Sequence, residues 1–101
     1  MILHIDHQTN FTIIDNRLLA DPNLSAKAKG ILCYLLSKPK GWRVRMEDLE
    51  NHFSDGPTAL RSGLQDIYKS GYGYIENKKD EKGRITGRVI HISEEPKFRK
   101  P

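Results

Sequence analysis

One segment of the sequence combines an apolar side with a polar side that lacks any carboxylate. Between Pro57 and Gly71, a period of 3.6 residues places Leu60, Leu64 and Ile67 on one side of a helix. The opposite side carries hydrogen-bond donors: Thr58, Arg61, Ser62, Gln65 and Lys69. Arginine pairs well with guanine, glutamine with adenine, and the hydroxyls with phosphates or bases. The pattern predicts a nucleic-acid-binding helix, with an ordinary solvated helix face as the alternative.

A group of cations follows this segment directly. Residues 74–79 and 84–92 are typical of two strands joined by the polar turn Asp80–Gly83, with a left-handed Gly83. The predicted hairpin carries five basic residues: Lys78, Lys79, Lys82, Arg84 and Arg88. Long side chains around a turn reach phosphates more readily than they read base edges. Glu76, Asp80 and Glu81 lie among them, so a locally neutralised, solvated turn is the alternative.

Length and charge limit what can position these residues. With 101 residues, 37% hydrophobic and 30% charged, the chain has room for one globular domain. Residues 1–56 contain seven basic and seven acidic side chains, so the net charge of +4 lies entirely in residues 57–101. This asymmetry favours an anionic partner: nucleic acid first, then an acidic protein or a lipid headgroup.

Several classes of function are disfavoured. We find no phosphate-binding glycine loop and no spacing typical of a catalytic pair, so we expect no enzyme and no cofactor. Four scattered histidines and the single Cys33 make neither a zinc set nor an internal disulfide, and Cys33 is expected to pack. No apolar run has the length of a membrane span or a signal peptide, so a cytoplasmic location is expected.

Local signals divide the chain into short elements. Phe11–Ile14 is typical of a strand, residues 16–20 of one helical turn, and Gly41–Val44 of a short extended piece. Ser25 is the expected N-cap of a core helix that ends before Pro39. Residues 46–53 form a second helix, a tight turn follows at 54–56, and Pro57 begins the third helix. The last two helices outline a helix-turn-helix, with Trp42, Tyr34 and Tyr72 expected to close the core rather than stack on bases.

Residues 11–92 resemble the winged-helix domain of phage replication proteins, the replisome organisers and DnaD-like primosome proteins. The resemblance rests on the block 16–30 with its Leu-Ser-x-Lys-Ala-Lys-Gly motif, residues 34–39, Trp42, Leu49, the Asp55-Gly56 turn, residues 60–62, Gly71-Tyr72 and residues 81–84. It implies a third helix in the major groove of DNA and a wing on the backbone. Two departures are Pro57, where the family usually has a basic residue, and the long junction Gly71-Tyr-Gly-Tyr74.

The expected fold is therefore α+β: a winged helix-turn-helix with three main helices and a C-terminal hairpin. It spans residues 11–92, between flexible ends at 1–10 and 93–101. The expected function is sequence-specific binding of double-stranded DNA in phage or plasmid replication initiation. Two alternatives stay open: transcriptional regulation by the same fold, and an adaptor that docks a helicase loader or a second copy of the chain without binding DNA.

Overall fold

A computed structural model of the chain describes residues 1–4 and 10–98. Its described part is α+β, with four helices followed by one antiparallel hairpin: α1 (Asn16–Ala20), α2 (Ala26–Leu36), α3 (Met46–His52), α4 (Pro57–Lys69), β1 (Gly73–Lys79) and β2 (Ile85–Ile92). The expected three main helices become four because the predicted turn at 16–20 is a helix. Asp15 caps this helix by accepting from the backbone N–H of Arg17 at 2.8 Å.

Helix α2 is the expected core helix, and four of its residues are buried in the core. Ser25 is its N-cap, since its Oγ accepts from the backbone N–H of Ala28 at 3.2 Å. Leu32 is fully buried and Leu35 almost so. The buried core draws on every helix and on the junction before the hairpin: Leu18, Leu24, Ala28, Ile31, Leu32, Leu35, Leu49, Leu60, Ile67 and Tyr72.

Helix α4 ends in a C-cap of two backbone hydrogen bonds, in which residues after the helix donate to carbonyls of its last turn. The N–H of Tyr72 donates to the carbonyl of Ile67 at 3.1 Å, and the N–H of Gly71 donates to Tyr68 at 3.2 Å. Gly71 has a φ of 85°, the left-handed conformation that this helix end requires. The predicted boundaries of α4 at Pro57 and Gly71 are thus confirmed, and Leu60 and Ile67 face the core as expected.

Gly73 accounts for the long junction before the hairpin. It opens β1 opposite Ile92, and a methyl group on it would lie 2.8 Å from the carbonyl oxygen of His91 and 3.3 Å from Cγ2 of Ile67. Glycine therefore lets β1 approach both β2 and α4. The hairpin continues in antiparallel register to Lys79↔Ile85, with an irregularity after Lys78, and Gly83 has the predicted positive φ of 80°.

The strand predicted before the core helix does not form, and the extended piece predicted after that helix has no partner strand. Phe11–Ile14 and Gly41–Val44 lack strand pairing, and the sheet in the described residues consists of β1 and β2 alone. β-branched and aromatic residues favour a strand only where a partner strand satisfies the backbone. In residues 41–44 the one backbone bond that we observe is local, from the N–H of Trp42 to the carbonyl of Pro39 at 3.1 Å.

The three aromatic residues that were expected to close the core differ in how far they are buried. Tyr72 is 2% exposed and does close it, with its hydroxyl donating to Oδ2 of Asp21 at 2.6 Å. Tyr34 is half-buried, against Phe53 and His52. Trp42 is 51% exposed, so its expected core position is wrong: the Pro39–Trp42 turn carries the ring beyond the end of α2.

The segment after the hairpin contacts the end of α4. The N–H of Ser93 donates to the carbonyl of Tyr72, and the N–H of Phe98 to the carbonyl of Gly71, each at 2.9 Å. The flexibility expected of the two ends stays a prediction, and residues 5–9 and 99–101 lie outside the described residues. In the described part of the chain, no helix is long and apolar enough to cross a membrane.

Candidate nucleic-acid interface

The outer face of α4 presents the side chains that its sequence pattern singled out. Four of them are exposed and one is half-buried: Thr58, Arg61, Gln65 and Lys69, then Ser62. The acid of this helix, Asp66, turns toward the start of α2, where Oγ of Ser25 donates to its Oδ2 at 2.8 Å. The predicted polar face is therefore kept free of its nearest carboxylate by the packing of α4 on α2.

A groove of about 490 Å³ lies where α4, the start of α3 and the hairpin meet. Arg61 and Gln65 enter it from α4, Arg88 from β2, and Arg45 from the residue before α3. No carboxylate lines the groove. Its remaining lining residues are mostly apolar: Val44, Met46, Leu49, Leu64, Tyr68, Ile75 and Ile90. Two residues of the predicted helix face, Arg61 and Gln65, and one of the predicted hairpin cations, Arg88, therefore meet in one basic groove.

Tyr68 links the helix to the hairpin within this groove. Burial raises the pKa of its hydroxyl, and the positive charge of Arg88 acts in the opposite direction. Arg88 and Tyr68 both line the groove, so Arg88 lies on the face of the hairpin toward α4, as Arg61 does on the facing side of the helix.

Three of the predicted helix residues lie outside the groove. Lys69 borders a separate cleft with Tyr74 and Phe98, and Thr58 is exposed at the start of α4. Ser62 lies on the side toward α2, where its Oγ accepts from Nζ of Lys27 at 2.9 Å. The helix face is therefore divided into a groove side, with Arg61 and Gln65, and an α2 side, with Ser62.

The hairpin cations differ in whether they form an ion pair with a nearby carboxylate. Nζ of Lys78 lies 3.2 Å from Glu76, and Nε of Arg84 lies 3.1 Å from Asp80. Asp80 also accepts the N–H groups of Arg84 and Lys82, and these bonds, the one from Arg84 foremost, hold the pKa of its carboxyl below the usual range. Three cations form no ion pair with any described residue: Lys79, Lys82 and Arg88.

The far face of the hairpin is occupied by its own contacts. The ring of His91 stacks on Tyr74 with centroids 4.6 Å apart, and its Nε2 lies 2.8 Å from Oε1 of Glu76. The hydrogen bond from His91, with a further one from Lys78, lowers the pKa of Glu76. These contacts fix the sheet and leave the basic groove on the opposite side.

The sequence interpretation missed Arg45 and Lys27. Their signal is an absence of acids: residues 22–46 contain six basic side chains and no carboxylate. The six are Lys27, Lys29, Lys38, Lys40, Arg43 and Arg45. A net charge summed over the whole first half conceals this stretch, because acids at both of its ends balance it.

Other chemistry has little support in the described residues. There, no group of three or more histidine, cysteine or acidic side chains is arranged to hold a metal ion. Cys33 is half-buried, and burial raises the pKa of its thiol, which disfavours the reactive thiolate. Comparison of the chain with protein-family models, curated proteins and solved structures finds no match.

Proposed function

We propose that this chain is a non-catalytic module that binds duplex DNA as a winged helix. In this proposal α4 enters the major groove, and the hairpin lies along the neighbouring backbone as the wing. The observation that carries the proposal is the basic groove between them. Arg45, Arg61 and Arg88 line it without a carboxylate, and a duplex offers phosphates on both sides of the groove that a helix enters.

The side chains divide between reading and positioning. Arg61 and Gln65 lie on a rigid helix, which favours bidentate contacts to guanine and adenine. Arg45 and Arg88 flank that helix and would neutralise phosphates, together with Lys79 and Lys82 at the tip of the hairpin. Lys27 and Ser62 extend the donor surface on the α2 side.

The resemblance to phage replication proteins supports a role in replication initiation, in a phage or plasmid. Transcriptional control by the same fold is the second form of this proposal, and the DNA site distinguishes the two. A site within a replication origin supports the first role, and a site that overlaps a promoter supports the second. A helicase loader or a second copy of the chain is the proposed protein partner.

Selection from a random duplex library, followed by gel shifts with the full chain, tests the proposal. We expect enrichment of one sequence family, with log affinity falling linearly with log salt by about 0.9 per neutralised phosphate. An adaptor that docks through apolar residues would enrich no sequence and would keep its partner at high salt. The absence of duplex binding at low salt would overturn the proposal.

A further inference from the structure

The segment from Lys38 to Arg45, which connects α2 to α3, exposes the single tryptophan of the chain. Trp42 is 51% exposed, although a ring of this size usually buries most of its surface. The segment carries four cations and no acid: Lys38, Lys40, Arg43 and Arg45. A half-exposed indole among cations is what a strand of unpaired nucleotides requires, because bases stack on aromatic rings while phosphates seek positive charge.

The surroundings of Trp42 are consistent with such a ligand. The ring borders two clefts of about 450 and 650 Å³, and no carboxylate lines either one. Lys38 and Lys40 line the first cleft, and Arg43 and Arg45 line the second. Nζ of Lys38 lies 5.1 Å from the Trp42 ring centroid and 4.7 Å from that of Tyr34. Lys38 therefore covers part of the indole as a cation–π partner, and a ligand would stack on the half of the Trp42 surface that stays exposed.

We propose that this segment is a second nucleic-acid site, which binds single-stranded nucleic acid with one unpaired base stacked on Trp42. The phosphates on either side of that base are held by Lys40 and Arg43. The site is distinct from the duplex groove, because a paired base is already stacked on its neighbours and has no free face for the indole. The two sites adjoin, since Arg45 and Arg88 line both the second cleft and the duplex groove.

Trp42 fluorescence provides a direct test, because no other tryptophan contributes to the signal. The full chain is titrated with an oligothymidylate and with an abasic oligonucleotide of the same length and charge. We expect saturable quenching by the oligothymidylate, and weaker binding with little quenching for the abasic strand. Equal effects of the two strands would overturn the proposal, because phosphates alone would then account for binding. Equal quenching by a polyglutamate peptide would overturn it too, in favour of an acidic protein partner.

Three variants separate stacking from charge and from folding. Binding of a labelled oligothymidylate, measured by anisotropy, should weaken about tenfold or more in Trp42→Leu and largely recover in Trp42→Tyr. Phe11→Leu removes an aromatic ring that is 67% exposed elsewhere in the chain, and should leave binding unchanged. Thermal melts establish that each variant is folded. Unchanged binding by folded Trp42→Leu would overturn the proposal.

Duplex binding and oligothymidylate binding, both measured in the same variants, distinguish this inference from the proposed function. Trp42→Leu should keep its affinity for a selected duplex, whereas a groove variant such as Arg61→Ala should lose duplex affinity and keep oligothymidylate binding. A parallel loss of both ligands in Trp42→Leu would overturn the second site and assign the segment to the duplex interface. Failure of the parent chain to bind duplex, with intact quenching by oligothymidylate, would overturn the proposed function alone.

Discussion

Arg61 lies at the point where the helix and the hairpin meet, so its removal tests the groove most directly. It is exposed, lines the groove, and forms no ion pair with any described residue. We expect Arg61→Ala to lose about 1–3 kcal/mol of specific duplex binding if the side chain reads a base, with an unchanged melting temperature. Competition gel shifts with selected and scrambled duplexes measure this loss.

Lys69→Ala is the matched control for this variant. It removes an exposed cation from the same helix, but outside the groove. Its effect on the selected duplex should be clearly smaller than that of Arg61→Ala. Equal losses in the two variants would show that general charge on α4, rather than the groove, determines affinity.

Leu32 tests the placement of the core. It is fully buried on α2, and its truncation leaves a cavity that the surrounding side chains fill only in part. We expect Leu32→Ala to lower the free energy of unfolding by about 2–5 kcal/mol, measured by chemical denaturation. Leu19→Ala, at a position that is 47% exposed on α1, should cost much less. A small effect at Leu32 would contradict the orientation of α2.

At the scale of elements, the hairpin is expected to contribute charge rather than sequence reading. Lys79 and Lys82 form no ion pair with a described residue, so each can release a counterion by contacting a phosphate. Replacing both by alanine should make the slope of log affinity against log salt shallower by about 0.9 per lysine. The preferred sequence should not change. Binding to one selected and one random duplex across a range of salt measures both quantities.

Lys78→Ala provides the comparison within the same strand. Nζ of Lys78 lies 3.2 Å from Glu76, an ion pair that contact with a phosphate would have to replace, so this variant should change the slope less than a single replacement of Lys79 or Lys82 does. An unchanged slope in the double variant would mean that the hairpin does not contact DNA. A changed sequence preference would mean that it enters a groove.

The helices could be predicted because their signals are local. The Ser25 cap, Pro57 at the start of α4 and Gly71 after its end each act within a few residues. The strand predicted at Phe11–Ile14 was wrong because pairing depends on a distant partner that propensity does not specify. The candidate site could be predicted only in part for the same reason. Spacing placed Arg61 and Gln65 on one helix face, but the approach of Arg45 to them depends on tertiary packing.

At the scale of the whole molecule, α4 serves the core and the proposed interface at once. Its inner side buries Leu60 and Ile67, while its outer side carries Arg61 into the groove. Binding through a helix anchored in this way requires little rearrangement of the helix itself. Positions on the inner side of α4 are therefore expected to affect binding through folding, and those on the outer side without it.

The hairpin differs from the helices in how it is anchored. Ile90 and Ile92 at its base pack on the core, whereas the residues from 77 to 89 are exposed apart from Asp80. A two-stranded ribbon without a packed face is marginally stable, so the outer half can open while the helices stay folded. Hydrogen–deuterium exchange should then show the amides of Asp80 and Gly83 exchanging far faster than those within α2. Saturating duplex should slow the exchange of these two amides. The protection that they gain on binding would measure how far DNA completes the folding of the ribbon.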